Sequence, residues 1–138
     1  MPRRVAVVLA AFCIATVGFA AEKAKPKKPS LELRASPRFA FSPANVLFTA
    51  ELKGGDEAEE FYCPEIEWDW DDGGKSAHAA DCDPWTGESK LQRRFSERHD
   101  YPHAGLYNAR ITLKKAGKTF VSQTVEVTVR QGIGDTNR

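Results

Sequence analysis

Two cysteines, Cys63 and Cys82, and a set of acids spaced among three tryptophans are the residues here that could do chemistry. Asp69, Asp71 and Asp72 follow Trp68 and Trp70, and Asp81 and Asp83 precede Trp85. Oxygen ligands in a loop suit Ca²⁺. The spacing lacks the regular Asp-x-Asp-x-Asp-Gly order of an EF-hand, however. Asp72-Gly73-Gly74 is also ordinary turn chemistry, so the acids read as a turn with solvated carboxylates before they read as a metal site. If a Cys63–Cys82 bridge closes, it would gather Asp71, Asp72, Asp81, Asp83 and Trp85 on one rim, with Trp85 as a loop contact residue. Trp85 could equally cover the bridge or a sheet edge.

The histidines offer less. His99 and His103 are four apart with Pro102 between them, which opposes a shared helical face for zinc, and His78 stands elsewhere. One packed histidine and two surface ones are expected. Arg93, Arg94 and Arg98 read as a solvated face. The chain has no Gly-x-Ser-x-Gly, no Ser-x-x-Lys and no His-Glu-x-x-His. Paired carboxylates alone do not make a hydrolase, because they need a cleft and tuned pKa values. No catalytic residue and no metal ligand is assigned.

The fate of the cysteines depends on the compartment. Arg3 and Arg4 precede an apolar run from Val5 to Val17, and Gly18-Phe19-Ala20 places small residues at both positions a signal peptidase reads. Residues 1–20 are read as a signal peptide cut after Ala20, with Ala21 as second choice. The run is shorter than the roughly 20 residues of a bilayer span, so no stable span remains after cleavage. Phe12 before Cys13 excludes a lipoprotein site. Cys13 leaves with the signal, and an even pair in an oxidising compartment forms a disulfide. The 19-residue separation contains no Cys-x-x-Cys element, which opposes zinc. In the chain-entropy account a loop of this size contributes about 3 kcal/mol. The protein is therefore expected to be secreted or periplasmic.

Residues 21–30 are a Lys/Pro spacer with no large apolar residue, expected to be extended and solvated. From Leu31 onward 14 basic residues face 18 acidic ones, a net charge of −4, which opposes a nucleic-acid role for the folded part. Residues 131–138 contain Gly132 and Gly134 and are expected to be loose.

The elements between these ends follow a period of two. Val46, Phe48, Ala50 and Leu52 alternate with Asn45, Thr49, Glu51 and Lys53. Ile66, Trp68 and Trp70 alternate with acids. Tyr107, Ala109, Ile111 and Leu113 alternate with Asn108, Arg110, Thr112 and Lys114, and Val121, Val125, Val127 and Val129 form one face interrupted by Gln123. Each is a half-buried strand. Residues 114–118 form a hairpin turn around Gly117. Residues 31–41 are a weaker edge strand broken by Pro37, and 91–99 a further strand. Six or seven short strands without an amphipathic helix predict a two-sheet antiparallel β-sandwich over 31–130.

Trp68-Asp69-Trp70-Asp71-Asp72-Gly73, then His99-Asp100-Tyr101, then Gly105-Leu106-Tyr107 and a closing strand pair resemble the PKD domain family. That family carries Trp-x-Phe-Gly-Asp-Gly, His-x-Tyr and Gly-x-Tyr in the same order. Trp70 stands where the family usually has Phe, Asp71 where it has Gly, and the Cys63–Cys82 loop resembles an insertion. The resemblance implies an immunoglobulin-like sandwich and a non-catalytic extracellular module used for adhesion, spacing or substrate contact. On this reading Trp68, Trp70, Tyr101 and Tyr107 are structural core, and Tyr107 returns its hydroxyl to the backbone. The expected partner is a protein or glycan at the cell envelope. The alternative is a Ca²⁺-dependent carbohydrate-contact protein using the acidic loop and Trp85. A surface bearing Arg110, Thr112 and Lys114 is a further place for contacts.

Overall fold

The computed structural model describes Gly18 and residues 24–134. The expected signal peptide, its expected cleavage site and the last four residues of the chain fall outside the described residues, Gly18 apart. The strands are β1 (Ser30–Ser36), β2 (Phe39–Phe41), β3 (Ala44–Lys53), β4 (Glu65–Asp69), β5 (Lys75–His78), β6 (Arg94–Tyr101), β7 (Gly105–Lys115) and β8 (Lys118–Arg130). A single 3-10 turn, Glu59–Phe61, precedes β4. The strands form a three-stranded sheet in the order β1-β3-β6 and a five-stranded sheet in the order β2-β8-β7-β4-β5. The alternation described above decides which side chains lie between the sheets. Val46, Phe48, Tyr101, Ile111, Leu113 and Val127 are the largest fully buried ones. At one side of the sandwich Glu97 of β6 accepts from Ser76 Oγ at 3.1 Å and His78 Nε2 at 2.8 Å, which stitches β5 to the opposite sheet.

Several expectations are corrected. Residues 31–41 are not one edge strand. Ser36 ends β1 in the three-stranded sheet and Phe39 begins β2 in the other, with Pro37 between them. Proline has no N–H to continue the β1 ladder, so the chain leaves that sheet there. β2 then runs parallel to β8, so the sandwich is not wholly antiparallel. The strand expected over 91–99 runs from Arg94 to Tyr101. Leu91 is buried before the strand starts, and its N–H donates to Glu57 Oε2 at 2.7 Å. β5 was not foreseen because Asp72-Gly73-Gly74 returns the chain along β4 with few apolar residues to mark it. Eight strands result.

The spacer is shorter than its composition suggests. Lys27 N–H donates to Asp56 Oδ2 at 2.7 Å and Asp56 N–H donates to Lys27 O at 3.0 Å. Pro29 is buried against Gly55, where an added Cβ would lie 2.6 Å from the proline nitrogen. The start of the tail is also held, since Gly132 N–H donates to Ser42 Oγ at 3.1 Å. Arg93 is half-buried and held: it pairs with Glu57 at 2.6 Å and reaches the carbonyl of Gly54. Among the described residues no helix is long and apolar enough to cross a membrane.

Candidate functional site

The sandwich has two ends, and the residues singled out above divide between them. β4 separates them. Cys63 lies two residues before it and Asp71 two residues after it, so the length of the strand, about 13 Å at the usual rise, stands between them. The expected single rim of Asp71, Asp72, Asp81, Asp83 and Trp85 therefore does not form. β5 carries the chain back beside β4, so Asp81 and Asp83 return to the disulfide end and Asp71 and Asp72 stay at the other. Among the described residues no three His, Cys, Asp or Glu side chains group as metal ligands.

At the disulfide end, here the base, Cys63 and Cys82 are bonded, with S–S 2.01 Å and Cα–Cα 6.1 Å. Tyr62 beside the bridge donates its hydroxyl to Asp83 O at 2.9 Å and meets the Trp85 ring edge-on at 5.2 Å. Trp85 is thus half-buried, packed on the loop it belongs to. Lys115 Nζ donates to Tyr62 O at 2.6 Å and ties the β7–β8 hairpin to the same loop. Asp81 and Asp83 are exposed.

At the opposite end, here the tip, the motif residues interlock. Trp68 and Trp70 stack at 4.9 Å, Trp70 and His99 stack at 4.5 Å, and Tyr101 stacks on Tyr107 at 4.2 Å. His99 also meets Tyr101 edge-on at 4.8 Å. Trp68, Trp70 and Tyr101 are buried, whereas Tyr107, expected in the core, is half-buried and covers the end of the sandwich. Tyr101 donates to Trp70 O at 3.0 Å and Tyr107 to His103 O at 2.8 Å. Burial, with the Asp72 charge behind it, pushes both phenols above their ordinary range. Gly105 permits the Tyr107 ring to fold back. A Cβ there would come within 3.0 Å of that ring.

Asp71 and Asp72 serve the backbone. Asp71 holds φ +62°, the left-handed region that glycine adopts freely, which accounts for the glycine of the PKD pattern at this position. Its carboxylate accepts the Asn108 N–H at 2.9 Å and so fastens the turn to β7. Asp72 accepts Gly74 N–H on Oδ1 at 2.8 Å and His99 Nε2 on Oδ2 at 2.6 Å. Burial alone would push the Asp72 carboxyl up, but the bonds from His99 and the Gly74 N–H outweigh it and hold the group below its ordinary range.

One depression near β4 is shallow. It lies on the outer face of the five-stranded sheet and is lined by Glu67, Asp69, Lys75, Arg110 and Thr112. Its cross-strand row reads Lys75, Asp69, Arg110, and Lys75 pairs with Asp69 at 3.6 Å. Arg110 and Thr112 were visible as an exposed face, and the structure adds the carboxylates beside them.

One surface escaped the sequence reading. Phe39 and Phe41 are 71% and 68% exposed, and Leu106 58%. Thr128 pairs with Phe39 on one side and Leu106 on the other, so the three lie in one row on the outer face. Phe39 and Phe41 flank Ala40 in a period of two, which is the signal that would have found them. They were absorbed into the weaker edge strand expected over 31–41.

No family model and no curated protein matches the chain. Solved structures do. The PKD domain of an M14-like peptidase from Thermoplasmatales archaeon SCGC AB-540-F20 aligns with a TM-score of 0.54 at 16% identity, over 78% of this chain and 100% of that one. The CARDB domain of a Pyrococcus furiosus protein, solved in complex with di-metal ions, aligns with a TM-score of 0.50 at 8% identity, over 79% of this chain and 100% of that one. The fold is a PKD-like, immunoglobulin-like β-sandwich.

Proposed function

We propose that this chain is an exported, non-catalytic module that binds a protein or glycan of the cell envelope, or holds one part of a surface assembly to another. One observation carries the reading. The side chains that could do chemistry at the tip are spent on holding the fold: both Asp72 oxygens, the His99 ring and the hydroxyls of Tyr101 and Tyr107 all have intramolecular partners. A catalytic group instead needs reach to a substrate and a free lone pair or proton. The PKD-like fold supports the same reading, because loops and faces of immunoglobulin-like sandwiches commonly carry contacts. The disulfide fits an oxidising compartment, and Arg3, Arg4 and Gly18-Phe19-Ala20 supply the export signal.

The test uses protein isolated from its native host. Intact mass and alkylation should give an N-terminus at Ala21 or Glu22 and no free thiol. Crosslinking in the intact envelope should then yield a defined adduct. An N-terminus at Met1, two alkylatable thiols, or turnover of a peptide or glycan substrate by the purified protein would overturn the proposal.

A further inference from the structure

The free edge of β2 carries a contact surface that the aromatic motifs do not explain. Arg38 O accepts from Thr128 N–H at 2.8 Å, and Ser42 N–H donates to Arg130 O at 2.8 Å. In a parallel ladder alternate residues face the same neighbour. Arg38, Ala40 and Ser42 thus turn their backbone groups toward β8, and Phe39 and Phe41 turn theirs away from it. Among the described residues β2 has no strand on that other side. The two phenyl rings stand out on the outer face beside Leu106, and Ile133, one residue past the anchored Gly132, is fully exposed. Arg38 and Arg130 are exposed at either end of the row, Arg130 as the register partner of Phe41. Glu126 is the acid nearest in register, one outward position before Thr128 on β8.

We infer that β2 is a docking edge for a short extended segment of a partner protein that alternates apolar and acidic side chains. The inference rests on the binding reading above and names the surface and the chemistry of the partner. The apolar side chains would lie on Phe39, Phe41 and Leu106, and the carboxylates would meet Arg38 and Arg130. Main-chain pairing to Phe39 and Phe41 would set the register. Pro37 and Pro43 bracket the strand, which limits the ladder to one short segment and blocks open-ended edge pairing. A second copy of the chain is a poorer occupant, because pairing β2 with itself draws the arginines of the two copies toward one another. A bilayer is poorer too, since it offers nothing for the outward N–H and C=O groups.

The test is titration of the mature, oxidised protein with an array of short synthetic peptides alternating Val, Ile or Phe with Glu, followed by backbone amide NMR. Their Lys-for-Glu counterparts serve as controls. Acidic peptides should bind and shift the amides of Phe39 and Phe41, and the Lys series should not. Phe39→Ala and Phe41→Ala should each weaken binding about tenfold or more. Phe39→Pro should weaken it further than Phe39→Ala, because it also removes an outward N–H while sparing the bonds to β8. Arg130→Glu should reverse the preference between the two series. These residues are exposed, so an unchanged melting temperature separates lost binding from lost fold. No binding by any peptide, equal binding of both series, or shifts confined to another face would overturn the proposal. So would concentration-dependent dimers abolished by Phe41→Ala, or binding to phosphatidylglycerol vesicles in place of peptides. If an envelope adduct forms and survives Phe39→Ala with Phe41→Ala, the module reading stands and the β2 edge is wrong.

Discussion

The base and the tip of this sandwich are closed by different physics. At the base a covalent bridge joins Cys63 to Cys82, and a half-buried aromatic pair, Tyr62 and Trp85, lies over the loop. At the tip no covalent link is present among the described residues. Carboxylates cap backbone N–H groups there, phenol hydroxyls bond to carbonyls, and stacked rings fill the space between. A bridge acts chiefly by restricting the unfolded chain and is sensitive to reductant. Capping and stacking act in the folded state and are sensitive to the charge on the acids. The motifs that resemble the PKD family lie at the tip, and the two cysteines lie at the base.

The contrast can be broken most forcefully at Trp70. The Trp70→Ala variant should lose about 3–5 kcal/mol in chemical denaturation, because it empties the stack between Trp68 and His99. A loss as small as that of a surface residue would mean the tip is not held by its rings. Next comes the bridge. Replacing Cys63 and Cys82 together with Ala should cost about 3 kcal/mol and remove all response to reductant. The amide shifts of His99 and Tyr101 should stay in place, and a change at these residues would show that the two ends are coupled.

Acid sharpens the comparison further. The folded-state pKa of Asp72 lies below its ordinary value, so its contribution is present above about pH 4 and is lost as pH falls through the folded pKa. The Asp72→Asn variant should lose about 1–2 kcal/mol at neutral pH and show a flatter stability profile below pH ~4. A variant as acid-sensitive as the parent would assign acid loss to other carboxylates. Trp85→Ala should have the smallest effect, about 1 kcal/mol, since its half-buried ring meets Tyr62 edge-on and packs only on the margin of the core. A melt as damaged as that of Trp70→Ala would make Trp85 a core residue.

Much of the fold was legible in the residues, and the reasons differ by element. Period-two alternation assigned the inner faces of β3, β4, β7 and β8, because side chains of a strand must alternate between core and solvent. Ala116 and Gly117, at φ +49° and +75°, close the β7–β8 hairpin where glycine pointed to a turn. The pairing of Cys63 with Cys82 followed from the expectation of export and the count of two remaining cysteines. β5 was not legible, because a strand of four residues is too short to show a period, and β2 was merged with β1 because its alternation was read as the end of that strand.

The sequence by itself determined the strand faces, the turn residues and the cross-link, all of which are properties of neighbours along the chain. The tertiary structure alone decided which end each loop joins. Asp72 and Asp81 are nine positions apart in the sequence, yet β5 runs between them and carries them to opposite ends. Proximity along the chain does not reveal how many strands are crossed in between. The same holds for Phe39 and Phe41. Their alternation was visible, but their exposure depended on Pro37 passing the chain from one sheet to the other, where no further strand among the described residues covers them.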